Sequence, residues 1–264
     1  MIYFVATPIG NLRDITFRAI ETLEKVDLIA CEDTRHSIKL LNHYKIKKPL
    51  ISFHKFNEKA CGEKLVGEAM AGKEIAVISD AGTPLISDPG SVLVQMLKEK
   101  NIDFTVIPGA NAFVPALILS GMSTSKFSFI GFLPEKNKDR EKLLECYKEL
   151  ESTLIIYSAP QDVEKDISTL YKAFGERKAA AVREITKMHE ETANFNLSEG
   201  LGGDKRGEYV LIVEGGKKEM PEMSEKEHID YYIEKGFDKK EALKLAARDR
   251  GISKSELYKY TIEK

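Results

Sequence analysis

The sequence predicts an α/β protein of two domains with a small helical C-terminal segment. Three features carry that expectation. Short, almost uninterrupted apolar runs alternate with helical patterns through the first hundred-odd residues. A second block, after residue 118, sets two strand patterns in succession with no helix between them. Past the Gly-Gly-Lys-Lys run at 215–218 the pattern turns helical and rich in charge.

Apolar strands spaced by helices imply a parallel sheet covered on both faces. In the first domain, residues 1–117, the strand patterns are Ile2–Ala6, Leu28–Cys31, Leu50–Phe53, Ile75–Ser79 and Phe104–Ile107. The first helix puts Ile15, Ala19, Leu23 and Val26 on one face. Further helical patterns cover Ser37–Tyr44, Glu58–Ala71, Ser91–Lys100 and Ala112–Leu119. The second domain, residues 118–217, reads as strand Phe127–Phe132, helix Asn137–Glu149, strand Leu154–Ser158, helix Val163–Phe174 and strand Ala179–Arg183. Strands Phe195–Leu197 and Tyr209–Val213 follow without a crossover, which implies a mixed, partly antiparallel sheet. A linker is expected at Gly216–Pro221. In residues 222–264, helix Lys239–Asp249, Gly251 and helix Ser253–Tyr260 have the spacing of a helix-turn-helix, or equally of a plain helical hairpin.

A chain of 264 residues buries roughly 70–75% of its unfolded surface and needs no covalent staple. Forty Lys+Arg against 42 Asp+Glu give a net charge of −2. A uniformly basic nucleic-acid coat is therefore excluded, and any RNA contact must come from a local patch. Cys31, Cys61 and Cys146 are far apart and form no C-x-x-C pair, against a disulfide framework or thiolate zinc site. No apolar run approaches the ~20 residues of a membrane span. The N-terminus lacks a signal-peptide core, so a cytoplasmic protein is expected.

Four strand ends of the first domain lead into loops of small, turn-forming residues: Thr7–Asp14, Glu32–His36, Ser79–Gly90 and Pro108–Ala112. In an open parallel sheet such loops share the carboxyl edge, where ligands bind. Glycine there lets backbone approach a ligand, and proline fixes loop shape. The phosphate-loop pattern G-x-x-x-x-G-K-[ST] and the dinucleotide pattern G-x-G-x-x-G are both absent. His189-Glu190-Glu191 begins like a zinc helix, but Ala193 stands where the second histidine is needed, so no metal site is expected.

Ala6-Thr7-Pro8-Ile9-Gly10-Asn11-Leu12, Glu32-Asp33-Thr34-Arg35, Ser79-Asp80-Ala81-Gly82-Thr83-Pro84 with Ser87-Asp88-Pro89-Gly90, and Arg183-Glu184-Ile185-Thr186-Lys187 together resemble one family. It is the ribosomal small-subunit RNA cytidine 2′-O-ribose methyltransferases, within the tetrapyrrole-methylase superfamily. The resemblance runs from about Ile2 to Gly215. It implies a two-domain class III methyltransferase fold with S-adenosylmethionine, and no metal, in the interdomain cleft. It also implies a homodimer acting on small-subunit ribosomal RNA, within the assembled 30S subunit. By the same resemblance Thr83 and Ile86 contact the donor, with Pro108, Gly109, Asn111 and Ala112 beside them and Thr186 reaching in from the second domain. Asp80 bonds the donor or its loop, while Pro8 and Gly10 shape the cleft and face donor or acceptor.

Methyl transfer to a ribose hydroxyl needs alignment and a route for one proton. Lys187, Glu184, Asp33 and Arg35 are the catalytic candidates. Lys187 can act as base if burial lowers its pKa, and Arg35 suits a phosphate of the acceptor strand. Asp33–Arg35 and Glu184–Lys187 serve equally well as simple ion pairs. The chain departs from the family pattern at three places: Arg13 replaces a common glycine, Ala110-Asn111 replaces Pro-Ser, and Ser158-Ala159-Pro160-Gln161 replaces Glu-Ser-Pro-His. A porphyrinoid methyltransferase and a non-catalytic RNA assembly factor remain the alternative readings.

Overall fold

The computed structural model describes residues 1–202, 206–216 and 223–259. The linker expected at Gly216–Pro221 lies outside the described residues but for Gly216, as do residues 203–205 and Tyr260. The chain divides into two compact units, Met1–Gly216 and Lys217–Lys264.

Five parallel strands form the first sheet: β1 (Ile2–Val5), β2 (Leu28–Cys31), β3 (Leu50–Ser52), β4 (Ile75–Ile78) and β5 (Phe104–Ile107), in the order β3-β2-β4-β1-β5. Side chains alternate between the two faces of a strand, and in the three central strands β1, β2 and β4 both faces are largely buried. Phe4, Ile75 and Val77 pack on one face with Leu65 of α3 (Glu58–Met70) and Leu93 and Leu97 of α4 (Ser91–Glu99). Val5, Ala76 and Ile78 pack on the other with Ala19 and Leu23 of α1 (Phe17–Lys25) and Leu41 of α2 (Thr34–His43). This double burial explains why the strands read as unbroken apolar runs.

The second sheet is mixed. It contains β6 (Phe127–Phe132), β7 (Thr153–Ser158), β8 (Lys178–Arg183), β9 (Glu191–Asn196) and β10 (Tyr209–Val213), in the order β6-β7-β10-β8-β9. Only β6 and β7 run parallel; β10 lies antiparallel to both β7 and β8, and β8 to β9. Helices α6 (Asn137–Glu145) and α7 (Val163–Phe174) cover one face, contributing Leu144, Ile167 and Leu170. Helix α5 (Phe113–Leu119) covers the other, with Ala116 and Leu117 against Ile155, Val182 and Ile212. The boundary expected at 117–118 thus falls inside a helix that packs on the second sheet. Strand β9 starts four residues before the Phe195–Leu197 pattern and ends at Asn196. It is an edge strand with half its residues exposed, so its apolar signal is thin.

The C-terminal unit is a small helical cluster of α8 (Glu225–Glu234), α9 (Lys239–Arg250) and α10 (Lys254–Tyr258) around Ile229, Ala242, Ala246 and Leu257. Gly251, in the left-handed conformation at φ 64°, ends α9. No helix among the described residues is long and apolar enough to cross a membrane.

Candidate active site

The loops at the carboxyl edge of the first sheet are laced to one another. Thr7 and Gly82 exchange backbone hydrogen bonds of 2.8 and 3.0 Å, and the Thr7 hydroxyl donates to the Ser79 carbonyl. The Thr83 hydroxyl donates to the Ala110 carbonyl at 3.2 Å. Gly82 sits at φ +81°, where other residues are strained. Leu85 and Ser87 hold positive φ without being glycine, at 73° and 68°. Such strain persists only where surrounding structure imposes it, and it clusters at functional sites.

A cavity of about 450 Å³ opens where these loops meet the second sheet. Antiparallel pairing sets Tyr209, at the start of β10, opposite Ser158, at the end of β7. Both therefore face the carboxyl-edge loops. Asp80–Thr83, Ile86–Asp88, Asn111 and Ala112 form one wall; Phe132, Tyr157–Gln161 and Glu208–Val210 form the other. The volume lies within the ~300–1,000 Å³ usual for small-molecule sites. Burial, with Glu32 and Asp80 nearby, pushes the Asp88 carboxyl up to about 6. Burial, with Asp80 next, also raises Glu32. Tyr157, buried beside Asp88 and Glu208, is pushed up to about 12 and stays a neutral phenol.

A second cavity, of about 490 Å³, adjoins the first and is lined by Thr7–Gly10, Leu12, His36, Lys39, Leu40, Lys187 and Glu208. Ile9, Asp80, Ala81 and Glu208 line both. Lys187 lies along the first loop: a Cβ on Gly10 would come within 2.5 Å of its Cγ, so only glycine fits beneath the lysine stem. The Lys187 ammonium donates to Glu184 at 2.9 Å and Glu208 at 3.4 Å. Burial pulls its pKa down, but the two carboxylates outweigh burial and the net shift is upward. The neutral lysine that base catalysis needs is therefore disfavoured. The Lys187 hydrogen bond leads the causes that lower Glu184.

The remaining candidates separate. Asp80, Thr83, Ile86, Asn111 and Ala112 line the first cavity; Pro8 and Gly10 line only the second. Pro108 and Gly109 line neither. A Cβ on Gly109 would stand 2.9 Å from that of Ala6, so this glycine lets the fourth loop close against the end of β1. Thr186 also lines neither cavity; its hydroxyl bonds the Asp14 carboxylate, joining the first loop to the loop after β8. Asp33 caps α2 and chelates Arg35 through 2.9 and 3.2 Å bonds, which hold its carboxyl at about 2, while its backbone donates to Asp80. Arg35 projects into solvent, its side chain 88% exposed. Neither of these two residues lines either cavity.

Sequence reasoning did not single out Tyr157, Asp88 or Glu208. Asp88 stood inside a recognised motif; Glu208, a lone carboxylate after Gly207, carries no pattern. At the divergent Ser158-Ala159-Pro160-Gln161 segment, Ser158 donates to Asp166 at 2.6 Å, and Asp166 pairs with Arg140 at 2.6 Å, both side chains buried. The divergent serine is thus built into a closed polar network under the cavity wall.

Residues 1–200 match the model of the Tetrapyrrole (Corrin/Porphyrin) Methylases. The ribosomal RNA small subunit methyltransferase I of Halalkalibacterium halodurans is 44% identical over 97% of this chain and 93% of its own length. That of Bacillus subtilis is 43% identical over 98% and 92%. Among solved structures, the uroporphyrin-III-C-methyltransferase of Thermus thermophilus aligns with a TM-score of 0.59 at 18% identity, covering 81% of this chain and 93% of that one. Low identity makes that last likeness one of fold. The chain belongs to the tetrapyrrole (corrin/porphyrin) methylase family and, within it, to the group of ribosomal RNA small subunit methyltransferase I proteins.

Proposed function

We propose that the chain transfers the methyl group of S-adenosylmethionine to the ribose 2′-oxygen of a cytidine in small-subunit ribosomal RNA. It does so as a cytoplasmic homodimer acting on the assembled 30S subunit. The observation that carries the reading is the pair of adjoining cavities sharing a wall at Ile9, Asp80, Ala81 and Glu208. One suits a small donor and the other a nucleotide. The near-full-length likeness to relatives named for this activity supports it.

The first cavity fits the donor by charge and by shape. Asp80 and Asp88 line it; burial first, and then the neighbouring Glu32 and Asp80 charges, raise Asp88 to about 6, and a cationic ligand would favour its ionised form. Gly82 and Ala112 leave backbone open for close approach. Thr83, Ile86, Asn111 and Ala112 would hold the donor, which when bound supplies a methyl group already activated on a sulfonium. The chain's own contribution is then alignment, worth roughly 7–11 kcal/mol in well-oriented reactions. In the second cavity Pro8 and Gly10 shape the nucleotide floor, while His36 and Lys39 stand where a backbone phosphate would pass.

The test is mass mapping of small-subunit RNA from cells with and without the gene. It is paired with methylation of gene-deleted 30S subunits by the purified protein, and with sedimentation for the dimer. A 2′-O-methylcytidine restored in vitro is the expected outcome. Labelling of a porphyrinoid instead of ribosomal RNA would sink the reading.

A further inference from the structure

We infer that Glu208 is the group that takes the proton from the acceptor hydroxyl. The inference rests on the two-cavity reading above. A methyl group passing between the cavities must cross their common wall, and of its four residues only Asp80 and Glu208 carry carboxylates. Asp80 is already engaged, its Oδ1 accepting the Asp33 backbone N–H at 3.2 Å. The Glu208 side chain is 79% exposed and accepts a long, 3.4 Å contact from the Lys187 ammonium. Its backbone, by contrast, is fixed. Glu184 N–H donates to the Glu208 carbonyl, and Glu208 N–H donates to the Glu184 carboxylate, both at 3.1 Å. Gly207 permits this lock, since a Cβ there would stand 2.4 Å from Glu184 Oε1. The result is an exposed carboxylate on an anchored stem, paired loosely with Lys187, at the wall the two cavities share. Lys187, kept charged, positions Glu208 and does not compete for the proton.

In the step itself, the 2′-oxygen lone pair forms the new C–O bond as the methyl C–S bond breaks. The C–S electron pair stays on sulfur, turning sulfonium into neutral thioether. The hydroxyl proton moves to the Glu208 carboxylate and then to solvent. Charge and atoms balance without a further reactant.

The test is Glu208→Gln, measured on gene-deleted 30S subunits at saturating donor. Single-turnover rates should fall by about 10²–10⁴-fold. Donor affinity by calorimetry and subunit affinity by filter binding should stay within about threefold. Lys187 and Glu184, which contact Glu208, and the titratable groups that line a cavity with it (Asp80, Asp88, Tyr157, Tyr209, His36 and Lys39) are unchanged in both proteins. A variant rate within about threefold of wild type overturns the inference, as does a loss of donor or subunit affinity matching the loss of rate. Failure of the wild-type protein to methylate the subunit would strike the broader reading instead.

Discussion

At Lys187 the residue scale bears on two roles that spacing alone left open. A lysine in reach of one carboxylate can be a base or half of an ion pair; burial lowers the Lys187 pKa, but the Glu184 hydrogen bond and the Glu208 charge outweigh it, which favours the charged form. Lys187→Met should leave donor affinity unchanged but slow single-turnover methylation by up to about 10²-fold, the cost of roughly an ångström of misplacement. Stopped-assay rates beside calorimetry check this; a proportional loss of donor affinity would assign the lysine to the first cavity. Asp88 makes a pH-dependent prediction. Its carboxyl is neutral below about 6 and ionised above, and a cationic donor favours the ionised form. Donor affinity should therefore weaken as pH falls through 6, and Asp88→Asn should flatten the profile. An unaltered profile in the variant would place the donor away from Asp88. Residues of this kind were legible only as parts of motifs. Thr83 and Ile86 could be singled out because their loop carries a motif that resembles the family's. Glu208 owes its place to antiparallel pairing that brings β10 back beside β7, a long-range event with no local signature.

Among the elements, those with a clear apolar run or a clear apolar face were the most legible. Strands Leu28–Cys31 and Phe104–Ile107 and helix Val163–Phe174 run between the residues that their apolar periodicity indicates. Strand β9 and the end of α6 were not, because exposed, polar segments carry little periodic signal. Helices α6 and α7 and strand β7 are also joined by charge, through Arg140, Asp166 and Ser158. Removing one partner of a buried pair strands the other, so Asp166→Ala should destabilise by about 3–5 kcal/mol in urea melts. Arg140→Met with Asp166→Leu should recover most of that loss. A single variant as stable as wild type would show the pair to be well hydrated. A different prediction concerns the C-terminal unit. Every residue lining the two cavities precedes Gly216, so deletion of residues 217–264 should leave donor affinity intact and weaken subunit affinity. Unchanged binding of 30S subunits by the truncated protein would reduce α8–α10 to a structural appendage.

For the whole molecule, charge is the constraint on how a substrate is found. A net charge of −2 over 264 residues gives little long-range attraction for a polyanion. Non-specific nucleic-acid binding comes almost entirely from phosphates neutralised by Lys and Arg, and it fades steeply with salt. The basic groups near the second cavity are few: His36 and Lys39 line it, Arg35 stands exposed on the same helix, and Lys187 is already held by two carboxylates. A short free oligoribonucleotide meets few lining cations in that cavity, and it must also lose conformational freedom on binding. A folded ribosomal particle presents the target nucleotide in a fixed shape and can engage more of the protein than the cavity linings. The protein should therefore methylate 30S subunits efficiently at physiological salt, and a short oligonucleotide of the same sequence hardly at all. Lowering the salt should narrow the gap, since the few phosphate contacts then count for more. The measurement is initial rate against salt for both substrates at saturating donor. Equal rates at physiological salt would mean that the cavity and its few cations are sufficient for recognition, and that the particle's shape contributes nothing.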